Sequence, residues 1–262
     1  MSYSPFEGYD KNLLSSEQIA YDVNLFENFT NKLRTYGTLE AYKILQSSKD
    51  SNLPIDLGLW IGGDLQENNL EIQRALEILK EYPNRIQSVI VGNEVLLRKE
   101  LEPLELYAYI DFMKNHTKKP VTTAETWDIW EKNPQLASHV DFLTIHILPY
   151  WEKVPIERYN EFIIEKYSVV EELFPNRKIV IGETGWPSHG YNNNKAVPSI
   201  KNQAQAIRGF VNLAHEKGWH YNIIEALDQP WKGYDEGNVG QYWGIFTTDR
   251  ALKFQLAGEV EL

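Results

Sequence analysis

Residues Ser88–Glu94 read SVIVGNE, and residues Ile179–Glu183 read IVIGE. Each stretch contains a run of apolar, β-branched residues followed by a glycine. A glutamate comes directly after the glycine in the second stretch and one residue later in the first. Continuous apolar runs without polar alternation are typical of parallel strands that are buried on both faces. These two stretches therefore predict buried parallel strands that each carry a carboxylate just beyond the apolar run.

Similar runs recur along the chain and alternate with helical patterns. The other predicted strands are Ile55–Ile61, Val121–Ala124, Asp141–Ile147 and Asn222–Ala226, with weaker ones at Ser2–Phe6 and Leu33–Tyr36. One predicted helix follows Ser15, another begins at Pro103, and three more cover Leu70–Leu79, Phe162–Phe174 and Gln203–Ala214. Eight strands alternating with helices over 262 residues favour an α/β fold, a single-domain (β/α)₈ TIM barrel spanning residues 1–262. An open doubly wound sheet is the alternative that the spacing leaves open.

Composition excludes several classes of protein. Hydrophobic residues make up 42% and charged residues 24% of the chain, which is ordinary globular composition. The absence of cysteine excludes disulfides, thiolate nucleophiles and cysteine-ligated zinc. A net charge of −11 argues against nucleic acid or an anionic membrane surface as a partner, but it would not affect a neutral substrate.

Polar and aromatic residues gather where the predicted strands end. In a barrel of this kind the carboxyl ends of the strands form the active-site rim. The candidates at this rim are Tyr36, Trp60, Asn93, Glu94, Glu125, Trp127, His146, Tyr150, Trp151, Glu183, Trp186, Glu225, Gln229, Trp231 and Lys232. Trp130 also lies just after a predicted strand. Flat aromatic faces beside hydrogen-bonding groups suit a sugar ring, although any single tryptophan can equally belong to the core.

Glu94 and Glu183 form the candidate catalytic pair. Glycoside hydrolysis needs one carboxyl group that donates a proton to the leaving oxygen and a second that attacks the anomeric carbon or activates water. An isolated glutamate at a strand end is more often a solvated or salt-bridged residue, but two of them at one rim favour catalysis.

His146 is the one histidine at a predicted strand end, and no HExxH spacing is present. We therefore expect no metal site. His146 is expected to donate a hydrogen bond to a sugar hydroxyl or to Glu183. Serine-hydrolase and phosphate-loop motifs are missing from the sequence.

Six motifs in order resemble glycoside hydrolase family 17, the β-1,3-glucanase family. They are Val91–Arg98 (VGNEVLLR), Thr122–Trp127 (TTAETW), His146–Glu152 (HILPYWE), Gly182–Ser188 (GETGWPS), Glu225–Lys232 (EALDQPWK) and Tyr242–Phe246 (YWGIF). The resemblance spans roughly residues 2–255 and is strongest to the family's bacterial β-1,3-glucanosyltransferase domains.

The resemblance implies a retaining double displacement without a cofactor. It assigns Glu94 as the acid/base, Glu183 as the nucleophile and Asn93 as the amide that holds the sugar 2-hydroxyl. Tyr150 matches the tyrosine that follows the family's sixth barrel strand. Glu225 and Lys232 resemble polar residues that follow the eighth. Since Asn93 and Glu94 are neighbours, both reach the site only if the strand end twists or bulges.

We expect an enzyme that transfers a β-1,3-glucan segment to a sugar acceptor, through a β-1,3 or β-1,6 linkage. The alternatives are a β-1,3-glucan endohydrolase, a non-catalytic β-glucan-binding barrel and a metal-dependent barrel enzyme. Because family members usually have residues before the SYSPF strand, we expect a domain of a longer protein. Bacterial relatives are often fused to a membrane-bound glycosyltransferase, which would place this domain outside the cytoplasm. We expect the isolated domain to be a monomer.

Overall fold

A computed structural model describes residues 1–233 and 236–256 of the chain. The strands are β1 (Phe6–Glu7), β2 (Asn12–Leu13), β3 (Leu33–Arg34), β4 (Ile55–Leu59), β5 (Ile86–Asn93), β6 (Val121–Thr126), β7 (Leu143–His146), β8 (Ile179–Thr184) and β9 (His220–Ile223). The α-helices are α1 (Ser16–Phe26), α2 (Thr38–Ser47), α3 (Leu65–Glu81), α4 (Pro103–His116), α5 (Trp127–Lys132), α6 (Tyr159–Leu173) and α7 (Ile200–Lys217).

Strands β3 to β9 belong to one sheet in which each strand is hydrogen-bonded to the next in chain order. The pairings from β3 through β7 are parallel. Strands β4, β6, β7 and β8 are buried along almost their whole length, as their apolar sequences predict. Sequential parallel strands joined through helices are the strand order of the (β/α)₈ barrel, so the predicted fold class is confirmed.

The predicted first strand differs from the observed structure. Only Ser2 joins the sheet: its N–H donates to Ile223 O at 3.0 Å, and its carbonyl accepts from Ala226 N at 2.9 Å. The chain then turns back, so that β1 pairs antiparallel with β2. Pro5 supplies no N–H to extend a ladder, which explains why the strand stops so early.

Helix starts follow the capping residues in the sequence. The Ser15 hydroxyl accepts from Gln18 N at 3.2 Å, and Pro103 is the first residue of α4, as predicted. Helix α3 begins five residues before the predicted start because the Asp64 carboxylate caps it, accepting from Gln66 N at 2.8 Å. Helices α2 and α5 were not predicted.

The chain forms two compact units. Unit I comprises Met1–Leu14, Ile147–Ser168 and Ile181–Leu262, and unit II comprises Ser15–His146 and Val169–Val180. Each has its own buried apolar residues, such as Phe210 and Phe246 in unit I and Leu57 and Val91 in unit II. Among the described residues, no helix has both the length and the apolar character required to cross a bilayer.

Candidate active site

The end of β5 in unit II places Asn93 and Glu94 at one polar cluster. Neighbouring residues of a regular strand point to opposite faces. Here the alternation is broken, because Gly92 has a φ of 83° and Glu94 has a φ of 55°, both in the left-handed region. The β5–β6 register also shifts between Ile90 and Asn93. The strand end therefore deviates as the sequence argument requires.

Arg34 and His146 connect these two side chains. Arg34 Nη2 donates to Asn93 Oδ1 at 2.6 Å, and Arg34 Nη1 lies 3.2 Å from His146 Nε2. His146 Nδ1 lies 2.7 Å from Glu94 Oε1. Arg34 and His146 are buried, whereas the Glu94 side chain keeps 22% of its surface exposed. A continuous hydrogen-bonded chain thus ends at an accessible carboxyl group.

Sequence reasoning missed Arg34 and the pairing of His146 with Glu94. The sequence did contain a signal for a buried, paired Arg34. This arginine directly follows Leu33 within a short predicted strand, and both residues are buried in the structure. Such a charge is rarely buried unless it is paired.

Glu125 lies in β6 and is completely buried, so it is not open to a substrate as predicted. Its carboxyl accepts from Leu96 N at 2.7 Å and from Leu97 N at 3.3 Å. Burial raises its pKa to about 8; the two backbone N–H groups oppose the rise, and the nearby Glu94 adds to it. Through these two hydrogen bonds, Glu125 stabilises the turn that follows Glu94.

Three aromatic candidates in unit II keep exposed surface. Trp60 is 46% exposed and its ring lies 4.5 Å from the Arg98 guanidinium. Tyr36 is half-buried with its ring 4.9 Å from the Arg34 guanidinium. Trp127 is half-buried at the start of α5. These rings remain candidates for contact with a sugar.

Glu183 stands near the end of β8, in unit I, and is 4% exposed. Its backbone carbonyl accepts from Ile147 N at 3.0 Å. The Lys232 ammonium is buried and lies 2.7 Å from Glu225 Oε1. Burial lowers the pKa of Lys232, but the carboxylates of Glu225, Glu236 and Glu183 outweigh this effect and raise it. Glu183 therefore interacts electrostatically with both members of a buried ion pair, Lys232 and Glu225.

Three aromatic predictions require correction, because the side chains are completely buried. Trp186 Nε1 donates to Val197 O at 3.0 Å, and Tyr150 Oη donates to Tyr191 O at 2.6 Å. Trp130, also predicted at the rim, packs edge-on against Phe174. Among the predicted rings of unit I, Trp151 is 36% exposed and Trp231 is half-buried.

Gln229, Glu225 and Lys232 are also buried, and their predicted contact with substrate stays a prediction. Gln229 Nε2 donates to Ser4 O at 3.0 Å, and Gln229 Oε1 accepts from Trp231 Nε1 at 2.6 Å. Trp231 itself is half-buried, with the Lys11 ammonium 4.3 Å from its ring. Gln229 thus fixes the orientation of a ring that a substrate could still reach.

Comparison with known proteins places the chain among carbohydrate-active domains. The profile of the BtgE/BtgC glycoside hydrolase domain matches residues 1–244. A glucan 1,3-beta-glucosidase of Schizosaccharomyces pombe is 27% identical over 255 residues, which cover 90% of this chain and 79% of that protein. The chain covers 65% of a Saccharomyces cerevisiae relative and 40% of an Aspergillus niger relative, so it spans less than two thirds of their lengths.

Two solved structures show the same fold. The family 17 β-1,3-glucanosyltransferase of Rhizomucor miehei superimposes with a TM-score of 0.87 at 24% identity, covering 97% of this chain and 96% of that one. An active-site mutant of that enzyme is known in complex with laminaritriose. An endo-laminarinase from Formosa Hel1_33_131 superimposes with a TM-score of 0.83 at 20% identity, covering 95% and 83% of the two chains.

Proposed function

The chain belongs to the BtgE/BtgC glycoside hydrolase domain family, within glycoside hydrolase family 17, and we propose that it acts on β-1,3-glucan by a retaining double displacement. Its relatives, a glucan 1,3-beta-glucosidase among them, support the substrate class. Both glutamates of the family motifs are present in this sequence, as Glu94 and Glu183.

Glu94 acts as the acid/base. The observation that carries this assignment is the left-handed conformation of Glu94, which gives a partly exposed carboxyl a buried imidazole as partner. A strained backbone of this kind costs about 1–3 kcal/mol and persists where the surrounding structure holds it. Glu94 protonates the oxygen of the leaving sugar and later takes a proton from the acceptor.

Glu183 acts as the nucleophile. It attacks the anomeric carbon while the bond to the leaving oxygen breaks, and a covalent glucosyl-enzyme forms. The ammonium of Lys232 attracts an ionised Glu183, and the carboxylate of Glu225, which is paired with Lys232, opposes this attraction in part. Asn93 holds the 2-hydroxyl of the same sugar.

The acceptor is the hydroxyl of a second glucan, so that the enzyme is a transglycosylase. The fold likeness to a glucanosyltransferase supports transfer. The exposed rings of Trp60 and Trp151 and the half-buried rings of Trp127 and Trp231 are the candidates to hold an acceptor sugar against competition from water. The second candidate is a β-1,3-glucan endohydrolase, which the likeness to an endo-laminarinase favours.

Mass spectrometry of products from reducing-end-labelled β-1,3-gluco-oligosaccharides tests the proposal. Products longer than the substrate are expected, and only shorter products would mean hydrolysis. Glu183→Gln replaces one carboxylate oxygen by an amide nitrogen. This variant should form neither longer nor shorter products, while it still binds the oligosaccharide. Binding without any product from the wild type would favour the non-catalytic alternative, and loss of activity with a chelator would revive the metal-dependent one.

The remaining expectations concern the whole protein. Fusion to a membrane glycosyltransferase, an extracytoplasmic location and a monomeric isolated domain are proposals that rest on the family resemblance. Accessibility of the domain to protease added to intact cells or spheroplasts tests the location. Light scattering of the purified domain tests the monomer.

A further inference from the structure

The buried guanidinium of Arg34 contacts two side chains that can each act as hydrogen-bond donor or acceptor. One is the imidazole of His146, at 3.2 Å from Nη1 to Nε2. The other is the amide of Asn93, at 2.6 Å from Nη2 to Oδ1. A neutral imidazole has one donor and one acceptor nitrogen, and an amide has one end of each kind. A guanidinium has donors only and keeps its proton in proteins.

These contacts fix the tautomer of His146. Since Arg34 can only donate, Nε2 of His146 must be the acceptor and carries no proton. The proton of the neutral ring is then on Nδ1, which lies 2.7 Å from Glu94 Oε1. A doubly protonated ring would direct an N–H and a positive charge at the guanidinium. His146 therefore donates to Glu94 as a neutral ring.

The same reasoning fixes the amide of Asn93. Its Oδ1 accepts from Arg34, so Nδ2 is the end that remains for other partners. If Asn93 binds the sugar 2-hydroxyl, it does so as a donor, and the hydroxyl oxygen accepts.

We propose that Arg34 is a positioning residue that holds His146 as its Nδ1–H tautomer and thereby directs the catalytic proton of Glu94 to Oε2. Oε1 accepts the His146 N–H, so the acidic proton resides on the other oxygen. When the glycosidic C–O bond breaks, the leaving oxygen takes the Oε2 proton and Glu94 becomes a carboxylate. The acceptor hydroxyl returns a proton to Oε2 as its oxygen attacks the glucosyl-enzyme. The tautomer of His146 follows from the contacts alone, whereas the delivery of the proton by Glu94 rests on the proposed function.

NMR of protein labelled with ¹⁵N in its histidines tests the tautomer without turnover. Two-bond ¹⁵N–¹H correlations distinguish a protonated Nδ1 from a protonated Nε2, and His146→Gln identifies the His146 signals among the six histidines. A protonated Nδ1 with a bare Nε2 is expected. A protonated Nε2, or a doubly protonated ring at neutral pH, would overturn the inference even in a fully active enzyme. Lack of activity on any β-1,3-glucan would instead overturn the proposed function.

Two variants at one position test the effect on the proton. The amide nitrogen of His146→Asn can occupy the place of Nδ1 and donate to Glu94, whereas the longer amide of His146→Gln reaches the place of Nε2. General acid catalysis contributes about 10²–10⁴-fold. We expect kcat to fall about 10-fold in His146→Asn and about 100-fold or more in His146→Gln on β-1,3-gluco-oligosaccharides.

A dinitrophenyl β-1,3-gluco-oligosaccharide separates proton delivery from folding. Its leaving group departs without protonation, so glycosylation of His146→Gln should approach the wild-type rate on this substrate. If kcat falls equally in His146→Asn and His146→Gln, or if His146→Gln loses as much activity on the dinitrophenyl substrate as on the unmodified oligosaccharide, His146 has a merely structural role and the proposal is wrong. Arg34→Lys, which keeps the charge but not the forked geometry, should shift the NMR population of the two tautomers.

Discussion

At the scale of single residues, Glu125 is a carboxyl group whose ionisation the fold disfavours. Burial raises its pKa to about 8, although its unfolded value is 4.5. Between these values the unfolded chain releases a proton that the folded protein retains. The free energy of unfolding therefore decreases as the pH rises from 4.5 to about 8, and this contribution is constant above that range.

Glu125→Gln removes this pH dependence, because the amide resembles the protonated carboxyl. The stability of the variant relative to the wild type should increase from pH 5 to pH 9 by a few kcal/mol, since a tenfold difference in proton affinity between the folded and unfolded chains corresponds to about 1.4 kcal/mol. Denaturant unfolding at several pH values measures it. Glu77→Gln, on the exposed side of α3, is the matched control. A difference that stays constant with pH would show that Glu125 ionises as readily in the folded as in the unfolded chain.

At the scale of elements, the end of β5 depends on Gly92. A Cβ at this position would lie 2.5 Å from Val95 Cγ2, and the φ of 83° already disfavours any side chain. At Gly218, which ends α7 with a φ of 67°, a Cβ would meet nothing within 4 Å. Both substitutions to alanine incur the left-handed cost of about 1 kcal/mol, but only Gly92→Ala also causes a clash.

Gly92→Ala should therefore cost about 1–3 kcal/mol more than Gly218→Ala in denaturant unfolding. It should also lower kcat, because Asn93 and Glu94 follow directly and would shift with the strand end. Gly218→Ala should keep wild-type kinetics. Equal stability losses, or an unimpaired Gly92→Ala enzyme, would contradict the role given to this bend.

The segment that follows β9 supplies a second buried cation. Lys253 Nζ lies 2.6 Å from Asp228 Oδ1 and 2.7 Å from Ser188 Oγ, with both charged side chains nearly inaccessible. Lys253→Met would leave Asp228 as a buried unpaired carboxylate, which should cost about 3–5 kcal/mol. Lys253→Met combined with Asp228→Asn should recover much of this loss in thermal or denaturant unfolding. The exposed pair Arg158–Glu161 provides the control, since Arg158→Met should cost less than about 1 kcal/mol.

Local patterns carried the prediction of most elements. The apolar runs that contain β4 and β8, and the caps at Ser15 and Pro103, are decided by neighbouring residues and could be read directly. The burial of side chains at the strand ends could not be predicted in this way. Whether a tryptophan such as Trp186 faces solvent, or whether Gln229 bonds Ser4, depends on residues far apart along the chain.

At the scale of the whole molecule, the proposed reaction uses two carboxyl groups that are distant in sequence, and it determines the anomeric configuration of the product. A retaining enzyme needs its two carboxyl groups about 5–5.5 Å apart, whereas an inverting one needs about 6.5–9.5 Å to admit a water molecule. The family assignment predicts the shorter separation between Glu94 and Glu183. Two successive displacements at one carbon then restore the original configuration.

Proton NMR during the first minutes of reaction on a β-1,3-gluco-oligosaccharide should therefore show the β anomer of the newly formed reducing end first. The α anomer should grow in only at the rate of spontaneous mutarotation, which fresh β-anomeric sugar in the same buffer calibrates. A new reducing end forms only when water is the acceptor. When a sugar hydroxyl is the acceptor, the same carbon enters a glycosidic bond, and retention is then read from the β configuration of the new linkage in the same spectra. Appearance of the α anomer first would mean direct attack by water, a wider separation of the carboxyl groups, and no covalent role for Glu183.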